Sequence, residues 1–220
     1  MSKKLFDLIL AKSLEHLQLW FFSTLIAFVI GILLGILLAK SKKQALSEAI
    51  LSIISIFQTV PGIALIALIE VAFLKLKPTI SLPTTGFFPG IIALVFYAIL
   101  PILKNTFMGL KHIPSATIEL GKAIGMKKWH IFYHIELPLS IPLIISGLRL
   151  SSVSTFGLVT LTSLVGSGGL GDLIFQGLKR FQVDFVLAGT IPVVIMAVLV
   201  DLCFLKMEKW LTVVKKNANI

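Results

Sequence analysis

Charged residues are scarce in this sequence, and cysteine is almost absent. Only 14% of the 220 residues are charged, 57% are hydrophobic, and the mean hydropathy is +1.01. A soluble domain of this length could not bury so much apolar surface, so the composition predicts an integral membrane protein. The single cysteine, Cys203, excludes an internal disulfide and a cysteine metal cluster.

The motifs of nucleotide hydrolysis and of common catalytic sites are also missing. No G-x-x-x-x-G-K-[ST] pattern occurs, since Gly121-Lys122 is followed by Ala123, and the chain cannot cradle ATP phosphates in the P-loop manner. His130 and His134 share a helical face, but two ligands do not make a zinc site. No nucleophile, base and orienting group converge in one segment. We therefore expect no enzyme, no metal and no cofactor in this chain.

Basic residues outnumber acidic residues by 20 to 10, which gives a formal net charge of +10. The lysines gather at the ends of apolar runs, where they set membrane orientation and meet anionic lipid head groups rather than nucleic acid. Residues 1–18 mix polar and apolar side chains, so no cleaved signal peptide is expected. The basic clusters are Lys40, Lys42 and Lys43; Lys127 and Lys128; and Lys206, Lys209, Lys215 and Lys216.

The apolar runs predict one all-α domain, covering residues 1–220, with about five transmembrane helices. The first run, Trp20 to Ala39, is uncharged for 20 residues, which is enough to cross a core of ~30 Å at about 1.5 Å per residue. Within the second run, Pro61-Gly62 predicts a kink or a break. The predicted segments are an interfacial helix at about 5–17 and spans at about 20–39, 49–74, 90–108, 139–164 and 185–204.

Five spans put the two chain ends on opposite sides of the membrane. If the loop at about 111–137 is cytoplasmic, the three basic clusters are cytoplasmic too, as the positive-inside rule requires. The N-terminus then faces outward, against that rule, because Lys3, Lys4 and Lys12 precede the first span. Splitting the 49–74 run into two passes would remove the conflict, but each half is too short to span.

The longest charged interruption of the apolar pattern is the 114–138 segment. Pro114 suits the start of a helix, Gly125 stops it, and a second helical run ends at Leu137-Pro138, because a residue before proline avoids helical angles. Glu119 and Gly121, then Gly125, then Ile135-x-Leu137-Pro138 resemble the cytoplasmic coupling loop of ABC-importer permeases, the EAA motif. Leu120 and Gly121 stand where two alanines are usual, although the spacing is intact.

The resemblance extends from about residue 58 to residue 201 and is strongest to permeases for glycine betaine, choline, carnitine and related solutes. It implies a type I ABC-importer permease fold in the bacterial inner membrane, dimeric around a central pathway, with a homodimer favoured. It also implies separate ATPase subunits that hold ATP and Mg, and an extracytoplasmic solute-binding protein. The implied coupling residues are Glu119 as the acidic contact, Gly121, Gly125, Met126, and Leu137 with Pro138 at the return into the membrane.

The sequence is compatible with several solutes and with other classes of transport protein. The solute is a trimethylammonium compound, ergothioneine included, or else methionine or another amino-acid-like molecule. An ATP-independent carrier or channel is a different class, but inverted repeats or several paired intramembrane charges, which would favour a carrier, are not visible.

Polar residues in two spans are candidates for the pathway lining. Gln58, Thr59 and Pro61 form a polar notch in the second span, and Ser154 and Thr155 belong to a serine- and threonine-rich fourth span. Such side chains also serve as helix-packing contacts. Glu70 and Arg149 are the ionisable residues deepest in the spans. Two interpretations stay open for each: a pathway or structural-pair role, or a side chain that reaches towards the nearby span end, as Glu70 could, five residues before Lys75. Asp201 lies near a span end, where Lys206 is a possible partner.

A glycine cluster follows the fourth span. Gly166, Gly168 and Gly171 satisfy G-x-G-x-x-G, but a dinucleotide site needs a preceding strand, and here a membrane span precedes it. Together with Gly169, these residues are predicted to form a close-packed element, or a gate, near the outer part of the pathway, because glycines let backbones approach closely.

Overall fold

A computed structural model describes residues 3–57, 59–77 and 83–217, apart from the side chains of Gln44 and of residues 211–217. The described part is helical and has no strand. Four of its helices are long and apolar enough to cross a membrane, or five if the bent pair formed by residues 45–57 and 62–76 counts as one span. The predicted fold class, an all-α protein with about five spans, is confirmed.

The first helix, α1 (Lys3–Lys40), is continuous for 38 residues. The prediction of a separate interfacial helix at 5–17 is therefore wrong. No glycine or proline lies between Leu17 and Trp20 to end a helix there. The N-terminal part of α1 also has its own buried contacts, since His16 and Leu19 are fully buried. α1 is thus longer than the apolar run that crosses the membrane.

The core lies between α1, α4 (Phe87–Lys111) and α7 (Leu137–Thr162). Leu19, Leu94 and Val159 form one buried cluster, with one residue from each helix. On α1, a Cβ at Gly35 would lie 2.7 Å from Cβ of Thr106 on α4. The two backbones approach this closely only because α1 carries a glycine there, as is common where membrane helices cross.

The second apolar run is broken in two. α2 (Gln44–Phe57) and α3 (Gly62–Leu76) are bent by 100° relative to each other. Pro61 precedes the first residue of α3, and the Pro61 carbonyl accepts the N–H of Ala64. The break expected at Pro61-Gly62 is present, because proline has no N–H to continue α2 and its fixed φ suits the start of a helix.

The chain then passes through α5 (Ser115–Ala123) and α6 (Lys128–Ile131) into α7. The helical boundary predicted at Leu137-Pro138 is wrong, since the helix continues through both residues. A π-turn covers Phe132–Glu136, in which the Leu137 N–H donates to the Phe132 carbonyl, five residues back. This wider turn lets the chain stay helical where Pro138 lacks the N–H for a regular α-helical bond.

Between the fourth and fifth predicted spans lies a further helix, α8 (Gly171–Arg180), which packs against α7 and α9 (Val183–Asn217). Phe181 links α8 to α9 in the left-handed region, with φ of 55°. Its N–H caps α8 by donating to the Gly177 and Leu178 carbonyls. The Phe181 side chain is 94% exposed.

The two ends of α1 are fixed by ion pairs at opposite ends of the bundle. At the C-terminal end, the Lys40 ammonium binds Glu136, immediately before α7. At the N-terminal end, Lys12 Nζ lies 2.7 Å from Asp172 Oδ2 on α8 and 2.8 Å from Glu15 Oε2. The N-terminus and the 114–138 segment therefore lie at opposite ends of the bundle, as the predicted topology requires.

Candidate functional site

The 114–138 segment is a compact turn of two short helices. α5 packs on the turn that leads into α7, and Gly121 is the point of contact. A Cβ at Gly121 would lie 2.9 Å from Ile135 Cδ1 and 3.6 Å from Met126 Sδ. The Met126 N–H donates to the Gly121 carbonyl at 3.0 Å, which closes the turn. Gly125 has φ of +80°, a conformation that a side chain would strain.

The opposite face of α5 is exposed. Glu119 lies on this surface, and Leu120 and Ile124 are 68% and 73% exposed. Large apolar side chains beside an exposed carboxylate, on a segment with a packed reverse side, form a surface suited to a protein partner.

Glu136 fixes the end of this segment to α1. Its side chain is 9% exposed and accepts a charge-assisted hydrogen bond from Lys40, which is 45% exposed. Lys40 Nζ also lies 5.4 Å from the centroid of the Phe132 ring. The segment is therefore attached both to α7, by continuous helix, and to the end of α1, by an ion pair and a cation–π contact.

Residues 31–212 match the family described as "Binding-protein-dependent transport system inner membrane component". The chain belongs to this family. It is thus a permease component of a transport system, a multi-pass protein of the inner membrane, and not an enzyme. Membership in this family implies a partner ATPase, a binding protein and a second permease.

The permease is also similar along nearly its whole length to individual transport proteins. It is 38% identical to the carnitine transport permease protein OpuCB of Listeria monocytogenes, over 93% of this chain and 88% of that protein. It is 36% identical to the glycine betaine/carnitine/choline transport system permease protein OpuCB of Bacillus subtilis, with the same coverage. The choline transport system permease protein OpuBB of Bacillus subtilis is likewise 36% identical, again over 93% of this chain and 88% of that protein.

Solved structures share the fold. An inward-facing structure of the MetNI methionine ABC transporter aligns with a TM-score of 0.83 over 96% of this chain and 99% of that chain, at 22% identity. A crystal structure of an amino acid ABC transporter with histidines aligns with a TM-score of 0.66, at 18% identity, over 97% of this chain and 95% of that chain. These neighbours show that the permease has the type I ABC-importer fold.

The polar residues predicted to line a pathway are only partly brought together. Ser154 and Thr155 border a cavity of about 380 Å³ beside Tyr97 and Pro101 of α4. The Tyr97 hydroxyl donates to the carbonyl of Val60, which places the α2–α3 break next to this cavity. Two neighbours of Val60, Thr59 and Pro61, are exposed, and Gln58 lies outside the described residues.

Thr155 is buried at 1% exposure, and its Oγ1 has no hydrogen-bond partner in the described part of the permease. Ser154 is exposed and donates to the Leu150 carbonyl in its own helix. Glu70, on α3, is half-buried and does not border this cavity. The unpaired Thr155 hydroxyl therefore lies beside a cavity that is next to the α2–α3 break, and Glu70 is not part of this cavity.

The second deep charge, Arg149, is a structural partner of α9. Its Nε and one terminal nitrogen bind the two Asp201 oxygens at 2.6 Å and 3.0 Å, and its other terminal nitrogen lies 3.3 Å from Glu208. The pairing of Asp201 with Lys206 is therefore wrong. A planar guanidinium fits a carboxylate with two parallel bonds, which an ammonium cannot form.

The glycine cluster packs against the N-terminal part of α1. The Gly169 N–H donates to Glu15 Oε2 at 2.8 Å, and a Cβ at Gly168 would lie 2.5 Å from the same oxygen. Gly166 ends the turn after α7 with φ of +76°. A Cβ at Gly171, where α8 begins, would lie 2.1 Å from the Thr160 carbonyl oxygen. Each of these positions has either a left-handed backbone or a neighbour that leaves no room for a side chain.

The ion pairs at the two ends of the bundle were not predicted from the sequence. Glu136 could have been recognised from the sequence, because a single carboxylate between Ile135 and Leu137 indicates a buried charge that needs a partner. Lys40 could not be chosen as that partner, because it is one of several lysines in its cluster. The Lys12–Asp172 pair joins residues 160 positions apart and leaves no local pattern.

Proposed function

We propose that this chain is the membrane-spanning permease of an ATP-driven importer for a small quaternary-ammonium solute. Glycine betaine, choline, carnitine or a related trimethylammonium compound such as ergothioneine would be the cargo. The proposed class of solute is supported by one observation. The chain is 36–38% identical, over 93% of its length, to permeases named for carnitine, choline and glycine betaine transport.

The 114–138 segment is the proposed docking site of the ATPase subunit. Its packed reverse side, centred on Gly121 and Met126, makes α5 move as one body with α7, since the helix from Lys128 runs on without interruption. Its exposed face offers Glu119 to a basic residue and Leu120 and Ile124 to an apolar cleft. Closure of the ATPase would then displace the start of α7 directly.

ATP and Mg would be bound by that partner, because this chain has no P-loop sequence. Two permease copies, in our proposal identical, would enclose the pathway, and a solute-binding protein would deliver the cargo at the outer face. The cavity beside Tyr97, Ser154 and Thr155 is the proposed stretch of pathway wall. A weakly polar surface of this kind suits a solute that must be released rather than held.

The decisive experiment uses the permease reconstituted with its ATPase and binding protein in vesicles. We expect trimethylammonium uptake only with ATP inside the vesicles, and ATP hydrolysis that rises when the loaded binding protein is added. Glu119→Lys should abolish both effects while the protein stays in the membrane. Asp7→Lys, the same charge reversal at an exposed position at the other end of the bundle, should leave both effects intact. Normal uptake by Glu119→Lys would contradict the proposed docking.

A second candidate solute is methionine, because the MetNI methionine transporter shares the fold. At 22% identity that likeness supports the fold alone, and it ranks below the relatives of higher identity. A competition assay in the same vesicles distinguishes a trimethylammonium solute from methionine. Excess methionine that blocks choline or betaine uptake would favour the amino-acid alternative, and uptake without any ATPase would contradict both.

A further inference from the structure

A groove separates the C-terminal end of α1 from the 114–138 segment. Its volume is about 560 Å³, and its walls come from α1, α5, α6 and the π-turn before α7. Three lysines border it, namely Lys40, Lys122 and Lys128. Apolar side chains line the rest of the groove, among them Ile36, Ile118 and Ile131. A cationic rim around an apolar floor is the pattern of an amphipathic, anionic ligand site.

The charge in the groove is not balanced by the protein. One carboxylate, Glu136, borders the groove, and Lys40 already binds it. Lys122 and Lys128 are exposed, and neither has an ion-pair partner among residues 3–57, 59–77 and 83–217. Two ammonium groups therefore face the groove without a counter-charge.

The groove opens where a lipid headgroup lies. The apolar run of α1 ends at Ala39, so Lys40 marks the membrane boundary on this side. Trp129, which also borders the groove, is 57% exposed, and tryptophan favours the headgroup level of a bilayer. Basic pockets at the cytoplasmic ends of membrane helices recognise anionic headgroups.

The groove lies on a different face of α5 from Leu120 and Ile124, the apolar part of the proposed ATPase contact. Ile118 and Lys122, one turn apart, point to the groove. Leu120 and Ile124 are each two residues away from Lys122, which on a helix places them about 160° around the axis. An ATPase that covers Leu120 and Ile124 would leave the groove open to lipid.

We propose that this groove binds the headgroup of an anionic phospholipid, with the Lys122 and Lys128 ammonium groups on its phosphate and the acyl chains against the isoleucines. The bound lipid would connect α5 to the end of α1 beside the Lys40–Glu136 pair, so that movement of the segment also reaches α1. The inference rests on the cytoplasmic placement of the 114–138 segment in the proposed function. Its ligand, however, is a lipid and not the transported solute.

Fluorescence quenching tests the site on the full chain alone. Of the three tryptophans, Trp20→Phe and Trp210→Phe leave Trp129 as the reporter. In vesicles, brominated phosphatidylglycerol should quench Trp129 more strongly than brominated phosphatidylcholine at the same mole fraction. Replacing Lys122 and Lys128 by glutamine should weaken this preference roughly 25-fold, at about fivefold per lysine.

The matched control is Lys206→Gln with Lys209→Gln, which removes the same charge from exposed positions of α9 outside the groove and should keep the preference. Lys40 is left unchanged, because its removal would leave the buried Glu136 carboxylate without a counter-charge and destabilise the protein. Counting phosphatidylglycerol molecules retained by the unmodified chain and by both double variants, using native mass spectrometry, gives a second measurement that keeps all three tryptophans.

Equal quenching by the two lipids, or equal loss in the groove and control variants, would overturn the proposal. Displacement of the lipid by soluble glycerol phosphate, but not by potassium chloride of the same ionic strength, would also overturn it and identify a soluble phosphate ligand instead. The measurement needs neither ATPase nor solute. A failed transport assay would therefore not contradict the lipid site, and a failed lipid-binding assay would not contradict the proposed transport function.

Discussion

Replacing Lys40 by methionine should destabilise the permease far more than replacing Glu136 by glutamine. The Glu136 side chain is 9% exposed, whereas Lys40 is 45% exposed. Without Lys40, the Glu136 carboxylate stays buried and has no counter-charge. An unpaired buried charge lowers the free energy of unfolding by about 3 kcal/mol or more. Glu136→Gln leaves a neutral amide that still accepts from Lys40, and Lys40 can turn to water, so the loss is about 1 kcal/mol.

Thermal unfolding of the purified protein in detergent, followed by tryptophan fluorescence, measures this asymmetry. For a chain of this size, 3 kcal/mol corresponds to a fall in Tm of about 6–12 °C, against about 2–4 °C for Glu136→Gln. The double variant, Lys40→Met with Glu136→Gln, should recover most of the loss, because no uncompensated charge remains. Equal losses for the two single variants, or a double variant less stable than Lys40→Met, would refute the role assigned to the pair.

Two further changes test backbone packing. Gly171→Ala should reduce folded yield sharply, because its Cβ would lie 2.1 Å from the Thr160 carbonyl oxygen; Gly157→Ala, with nothing within 4 Å, should instead raise Tm through about 1 kcal/mol of helix propensity. Yields in the reverse order would contradict the close packing. Phe181→Gly should raise stability by about 1 kcal/mol, because it relieves a left-handed backbone at a side chain that is 94% exposed. A lower Tm would show that the aromatic ring contributes contacts that outweigh this strain.

The span pattern was readable from the sequence because the bilayer imposes it. The 20 uncharged residues from Trp20 to Ala39 are long and apolar enough to cross the bilayer. Pro61-Gly62 interrupts a straight helix, because proline has no backbone N–H to donate. The 114–138 segment was recognisable for a similar reason, because the spacing of Glu119 and Gly125 reflects a local turn. Such features depend on residues close together in the chain.

Two predictions were wrong because each applied a simple rule for neighbouring residues. Leu137-Pro138 looked like a helix end, but a π-turn accommodates proline, and hydropathy does not reveal a π-turn. Asp201 was matched with the nearest lysine along the chain, whereas its partner Arg149 is 52 residues away. Long-range pairs depend on how the spans stack, and apolar runs carry little information about that stacking.

The ion pairs at the start of α1 have a consequence for biosynthesis. The Lys12–Glu15 pair is local and can form as soon as the first helix leaves the ribosome. The bonds to Gly169 and Asp172 need chain that is made more than 150 residues later. The first helix is therefore made without its bonds to Gly169 and Asp172, which can form only when the last quarter of the protein has been synthesised. Closure of this end of the bundle is a late event in assembly, and a chain that stalls before residue 169 would insert its first spans without it.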